Sequence, residues 1–363
     1  AQKTVVDKAA ESVNRTRKSL EAVLGSPTQV APVAAGKPIE SLVDDRFIAL
    51  RRLVQGAGSG PTPLDDALKL FNDVYVHLNA VDTAVKSRST PPPAEAANRI
   101  KAEAARLPEP MRSMLETISQ TGNAQAQGAQ RANLSMDLGP VSAFCTTAVA
   151  GRYPLTANAT REVLPEDFGE LFGPGGKMDQ FFTQRLATLV DTGVTPWRYR
   201  PQGEGAALSA PALREFERAN RIKEVFFRGG ARTPGLRLDF RPVEMDAGIT
   251  QFILDVDGQL VKYAHGPVVP TSVQWPGQRG SGQVRLQVSP ASPNGESGFV
   301  IDGPWALYRL FDRITVEPGS GPEKFFATFT LDSRKARFEV TANSVQNPFR
   351  LRELREFTCP ERL

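Results

Sequence analysis

The chain has 363 residues, 40% of them hydrophobic and 23% charged, with 29 prolines, 30 glycines and a formal net charge of +4. This is the composition of an ordinary globular chain of two or three domains rich in turns, and so slight a charge is thin support for a nucleic-acid or anionic-membrane surface. No apolar run approaches the roughly 18 residues that would read as a membrane span, and two histidines and two cysteines, none in metal-ligand spacing, leave little for metal or histidine-dependent chemistry.

The first residues, "AQKTVVDKAAESVNRTRKSL", read as a polar helix without a signal peptide's apolar core. A start in mid-helix without methionine points to a piece of a longer protein. "DDRFIALRRLV" (residues 44–54) is a short amphipathic helix between two loops, residues 25–38 and 55–63. Thr62-Pro63-Leu64-Asp65 is a helix start: a capping hydroxyl, a proline in the first turn and an acid for the dipole. Leu64, Leu68, Phe71, Tyr75, Leu78 and Val85 then recur at steps of three, four or seven and predict one buried face, with His77 beside it in a structural role. "SRSTPPP" is a stiff spacer into the alanine-rich helix "AEAANRIKAEAARL". Helices are expected from Met111 to about Ala150, broken near Gly122, Gly128 and Gly139-Pro140.

The stretch "DFGELFGPGGKMDQFF" (residues 167–182) holds a glycine-rich turn ending in lysine, the outline of a phosphate-binding loop. A P-loop needs G-x-x-x-x-G-K-[ST] after a strand. Here the first glycine position is Leu171 and the hydroxyl position is Met178, and the preceding segment reads as a helix. The spacing fails, so Gly173, Gly175 and Gly176 are read as a structural corner between helices at 166–172 and 177–190.

One further helix, "PALREFERANRIKEVFF", precedes a change of period. Leu236, Leu238 and Phe240 alternate with charged residues, Phe252, Leu254 and Val256 do likewise, and Asp257-Gly258 marks a hairpin. "TSVQW", "GQVRLQVS", "SGFVI", "KFFATFTL" and "ARFEVTA" add short strands, interrupted by the helix "GPWALYRLFDRI". The expected class is α+β: an α-helical stalk over 1–139, an α-helical domain over 140–233, and an antiparallel β-sandwich with one inserted helix over 234–363.

Candidate chemistry is sparse. Glu166-Asp167 opens a helix and Asp255/Asp257 flanks a turn, so neither pair reads as acid–base machinery, and no nucleophile elbow occurs. Residues 197–237 carry nine Arg/Lys and four Glu, 9 − 4 = +5, with five aromatics interleaved. A nucleic-acid face is one reading; a solvated helix whose aromatics pack inward is favoured. Cys145 and Cys359 are either two buried thiols or one long-range disulfide.

"FCTTAVAGRYPL", "DFGELFGPGGKMDQFF" and "VDTG…W", followed by "GPWALYRLFDR", "ARFEVTANSVQNPF" and "LREFTCP", run across roughly the last 220 residues. In order and spacing they resemble the C-terminal periplasmic region of the TssM/IcmF/VasK proteins of bacterial type VI secretion systems. Leu155 departs mildly, since the family more often has phenylalanine after "RYP". The resemblance implies the periplasmic part of an inner-membrane scaffold, without catalysis or cofactor. It would reach the outer-membrane lipoprotein TssJ, work with TssL through a membrane part absent here, and self-associate into a ring-like complex around the Hcp/VgrG tail, with no nucleic acid. It also implies an oxidising compartment, where a Cys145–Cys359 disulfide would tie the tail to the helices. For contact with TssJ, the Gly/Pro-rich turns of the β domain offer Trp275, Gln278 and Arg279 in one and Asn294 and Glu296 in another. The competing reading is a carbohydrate- or peptidoglycan-binding module that uses Trp275 as an exposed aromatic.

Overall fold

The computed structural model describes residues 62–87, 95–107 and 111–363, without 201–207, 292–294 and 296, together with a few isolated positions. The chain divides into two compact units, residues 1–73 with 100–117 and residues 74–99 with 118–363.

Helix α1 (Pro63–Ser87) starts where the cap predicts, with Thr62 and Asp65 exchanging side-chain-to-backbone hydrogen bonds of 2.8 and 3.2 Å. Its buried face differs from the expected one. Ala67, Leu70, Val74, Val81 and Ala84 are buried, while Leu68 and Tyr75 are 55% and 65% exposed. The expected stripe lies to one side of the observed one, whose centre is Leu70, Val74 and Val81 with Ala67 and Ala84 at its edges. After α2 (Glu95–Ala104), α3 (Met111–Ala148) runs unbroken for 38 residues with Pro140 inside it. The expected breaks are absent, and the 139/140 boundary falls within this helix. A single proline removes one backbone bond, and flanking turns hold the helix through it. Gly122 serves packing instead, since the side chain of Leu78 occupies the space its Cβ would take.

Helix α4 (Pro165–Phe172) and the short α5 (Lys177–Phe181) flank the glycine corner. A π-helical turn (Phe182–Leu186) ends this segment earlier than the expected residue 190, and Val190–Asp191 instead pairs with Arg198–Tyr199 as β1 and β2. The three glycines act differently. Only Gly175 has a positive φ, +69°. Gly176 is needed for close approach: a Cβ there would stand 2.6 Å from the Glu170 carbonyl oxygen and 2.9 Å from that of Gly173. Lys177 is half-buried, paired with Glu170 at 3.0 Å and set over the Phe144 ring at 4.8 Å. Gly176→Val is therefore expected to destabilise by about 2–3 kcal/mol or more, and Lys177→Ala by under about 1 kcal/mol, both measured by urea unfolding.

Helix α6 (Ala210–Phe226) buries Leu213, Phe216, Ile222 and Phe226 and leads into the sandwich. β3 (Leu236–Met245), β4 (Gln251–Val256), β5 (Gln259–Tyr263), β6 (Thr271–Trp275), β7 (Gln283–Ser289), β8 (Gly298–Asp302), β9 (Thr315–Pro318), β10 (Lys324–Leu331) and β11 (Arg334–Ala342) form two antiparallel sheets, with α7 (Ala306–Arg313) between β8 and β9. Their orders are β6-β3-β11-β10-β9 and β5-β4-β7-β8. Asp257 and Gly258 both have positive φ, 49° and 93°, the backbone of a two-residue hairpin turn. Pro242 sits where β3 has already lost β6 as a neighbour, beside the bulge at Arg337/Phe338, so its missing N–H leaves no gap in the ladder. Between the sheets Phe252 meets Phe338 and Phe329 at 4.7 and 5.1 Å.

A seam joins helices to sandwich. Trp305 is fully buried among Phe168, Phe226, Trp275 and Tyr308, and its indole N–H donates to the Val163 carbonyl at 2.7 Å. Glu162 accepts from the Trp305 amide at 3.1 Å and pairs with Arg309. Tyr153 donates to Asp312 at 2.7 Å, and its ring lies under the Arg309 and Arg355 guanidiniums at 4.0 and 5.1 Å. Burial, and then the Asp312 carboxylate, push the Tyr153 hydroxyl far above the usual range. Arg355, from α8 (Arg352–Glu356), closes the ring on Asp312 at 2.7 Å and on the Pro154 carbonyl at 2.6 Å. Beyond it, Cys359 and Cys145 stand with their sulfurs 1.94 Å and Cα atoms 5.7 Å apart.

Candidate partner-binding surface

The loop between β6 and β7 is held from the β4–β5 turn. The Asp257 carboxylate accepts from the amides of Gly280 (2.8 Å) and Ser281 (3.0 Å) and from the Ser281 hydroxyl. Burial alone would raise this acid, but those hydrogen bonds and one from the Gly282 amide outweigh it, and its pKa lies below the usual carboxylate range. Asp255 likewise accepts from the Gly258 amide at 2.6 Å. Both acids are turn-builders, which is why two carboxylates so close together carry no acid–base geometry. The staple presents Gln278 and Arg279 to solvent, with Arg279 lying across Gly258.

Trp275 does not join them. It is 4% exposed, packs on Trp305 at 4.9 Å and donates its indole N–H to the Pro304 carbonyl at 3.1 Å. The expectation of an exposed aromatic is overturned: Thr271, Val273 and Trp275 share one strand face, and Val273 points into the core. That alternation was a usable signal. Asn294 and Glu296 lie outside the described residues. Their loop leaves β7 at the end opposite to the one the 276–282 loop enters, about 20 Å away along the strand. Gln283 and Ser289, the β7 residues next to the two turns in sequence, lie at opposite ends of that strand.

Beside the 276–282 loop opens a cleft of about 640 Å³, walled by the first turn of α4, the 228–237 connector, the loop itself and residues 303–307. Phe226, Leu236, Trp275 and Leu307 line its floor, and Arg228, Arg237 and Glu166 stand exposed at its rim. These arginines end the basic segment at 197–237. Elsewhere in that segment several charges are engaged, Arg198 with Asp191, Arg218 with Glu215 and Glu356, Arg221 with Glu224 and Lys223 with Asp179, while Arg214 and Arg232 are exposed, and Phe216, Phe226 and Phe227 are buried. The favoured inward-packing reading of those aromatics is what the structure shows. Among the described residues there is no group of three or more histidine, cysteine or acidic side chains placed to hold a metal ion. Nor is any helix there long and apolar enough to cross a membrane.

Residues 238–344, the body of the sandwich, match the family described as the type VI secretion protein IcmF C2-like domain. Over 367 aligned residues the chain is 34% identical to the type VI secretion system component TssM1 of Pseudomonas aeruginosa, covering 99% of this chain and 33% of that protein. The chain thus spans about a third of the length of this curated relative. Its fold is similar to the TssM C-terminal domain from EAEC (TM-score 0.52, 20% identity, 62% of this chain and 97% of that one). It is also similar to a chain of a type VI secretion system membrane core complex (0.61, 17%, 96% and 70%) and to one of a type VI membrane complex (0.64, 18%, 87% and 70%). A helical half carrying these motifs, joined to an IcmF C2-like sandwich and related along its length to TssM1, places the chain in the TssM/IcmF family of type VI secretion proteins.

Proposed function

We propose that the chain is a structural portion of the type VI secretion trans-envelope complex, lying in the periplasm and performing no catalysis. The carrying observation is relatedness to TssM1 along 99% of the chain, supported by the fold's likeness to chains of two type VI membrane complexes. On this reading its sandwich meets the outer-membrane lipoprotein TssJ, its upstream membrane part works with TssL, and several copies assemble into a ring through which the Hcp/VgrG tail passes. The extensive aromatic seam suits a part that must transmit force as one body. A sugar-binding reading has lost the feature that prompted it, since Trp275 is buried.

The stapled 276–282 loop is the proposed TssJ contact, because its backbone is fixed by Asp257 while Gln278 and Arg279 remain exposed. Charge reversal at Arg279 is expected to weaken TssJ binding in calorimetry by about 1 kcal/mol or more. Deletion of residues 294–296 examines the opposite end of the sandwich. Unchanged affinity in both variants would move the contact to another surface, and absence of binding by the unaltered chain would overturn the scaffold reading.

A further inference from the structure

Helix α3 keeps one buried stripe through its last turns: Leu134, Leu138, Val141, Cys145 and Ala148 recur at steps of four and three, each at most 7% exposed, and Cys145 is fully buried. The tail runs back along the same helix, from Cys359 bonded to Cys145 to Leu363, whose amide donates to the Ser135 hydroxyl at 3.5 Å. Positions 145 to 135 span about 15 Å of helix, and positions 359 to 363 reach about 13 Å when extended, so the tail lies along α3. Its other contacts involve no sulfur. Phe357 packs on Phe172 at 4.8 Å, the Thr358 amide donates to Glu215 at 2.9 Å, and Leu354 and Leu363 are buried. These contacts bring the two sulfurs together, and the sulfurs differ in access: Cys359 is only partly buried at the edge of the core, whereas nothing of Cys145 reaches solvent. Thiol–disulfide exchange passes through a mixed disulfide, and the cysteine that carries it needs room for the second molecule. A docked tail leaves that room at Cys359 and none at Cys145.

We propose that the bridge is closed last, after the tail has docked, by exchange with a disulfide-bearing thiol oxidoreductase that enters at Cys359. The Cys359 thiolate attacks the oxidant's disulfide, which forms one mixed S–S bond and releases one oxidant sulfur as a thiolate. The Cys145 thiolate then attacks Cys359 Sγ, which forms the Cys145–Cys359 bond and expels the second oxidant sulfur. The chain's two thiols give up two protons and two electrons, and the oxidant's disulfide becomes a dithiol. Cys359 is thus the exchange site and Cys145 the resolving thiol. This assignment stands independently of the scaffold reading; only the compartment that supplies the oxidant rests on it.

The test uses the full chain, reduced with dithiothreitol under native conditions, freed of the reductant and exposed to oxidised glutathione. Samples quenched in acid, alkylated and mapped by peptide mass spectrometry should carry the first glutathionyl group on Cys359, before the intramolecular bridge appears. Cys145→Ser removes the resolving thiol, so the adduct on Cys359 should persist. In Cys359→Ser, whose tail keeps its other contacts, Cys145 should react at least about a hundredfold more slowly than it does in urea. Far-ultraviolet dichroism checks the fold of both variants, and the reduced unaltered chain carries the test alone if either fails to fold. A first adduct on Cys145, equal labelling of the two thiols in the folded chain, or a bridge that dithiothreitol opens only in urea would overturn the proposal.

Discussion

Trp305→Ala is expected to lower stability by about 3–5 kcal/mol and the melting temperature by about 10 °C. The indole is fully buried, and four aromatic neighbours from four segments converge on it: Phe168 from α4, Phe226 from α6, Trp275 from β6 and Tyr308 from α7. Truncation opens a cavity that these rings cannot jointly fill, because each is fixed by its own element. It also strips the Val163 carbonyl of its donor. Trp305→Phe separates the two contributions, keeping most of the apolar volume while leaving that carbonyl unpaired, at about 1–3 kcal/mol. Urea unfolding followed by tryptophan fluorescence and far-ultraviolet dichroism reads both variants. A second consequence distinguishes a seam residue from an ordinary core residue. The seam joins α4 and α6 to the sandwich, so in the alanine variant the helical and β signals should unfold at different urea concentrations. Coincident transitions with a loss below about 1 kcal/mol would show that the seam does not hold the two layers together.

How much of this was legible in the sequence depends on the range of the interaction. The sandwich announced itself because its information is local: Leu236, Leu238 and Phe240 alternate, and Asp257-Gly258 makes its turn with its own backbone. Strand β9 escaped because its four residues end in Pro318 and follow α7 directly, giving too short a run to show a period. The buried face of α1 was misplaced because apolar side chains lie on two sides of the helix, and periodicity alone does not choose the Leu70, Val74 and Val81 stripe over the one with Leu68 and Tyr75. The seam could not be read at all. Tyr153 and Asp312 are 159 positions apart, and Glu162 and Arg309 are 147, so nothing in the spacing around either member announces the other. The candidate contact loop was half legible. Gln278 and Arg279 sit where a turn exposes them, whereas the strand period already assigns Trp275 to the core side with Val273. The cleft was present in the sequence only as an unexplained excess of arginine at the end of 197–237. Its floor is assembled from residues of α6, β3, β6 and α7, which only the tertiary fold brings together.

Loss of the Cys145–Cys359 crosslink is expected to cost about 5 kcal/mol on the chain-entropy account, since the bridge closes a loop with 214 residues of separation. The prediction has two parts. Denatured, non-reduced protein should show no reactive thiol and reduced protein should show two; two thiols without reductant would end the idea. Cys359→Ser should then lower the unfolding midpoint steeply, with the effect arising chiefly from the unfolded chain. The native tail has other attachments: Phe357 against Phe172 at 4.8 Å, the Thr358 amide donating to Glu215 at 2.9 Å, and Leu363 buried. These contacts should keep the tail docked in the folded variant, so TssJ binding and the amide spectrum of the sandwich should change little. Arg355→Ala acts the other way. It leaves the crosslink in place but removes the bidentate contact with Asp312 and the bond to the Pro154 carbonyl, so the seam loosens in the native state. If the bridge works through the unfolded state and Arg355 through the folded one, the two losses should add when combined. A double variant that loses much less than that sum would mean instead that the bridge holds the tail against the seam in the native protein, and that Arg355 depends on it.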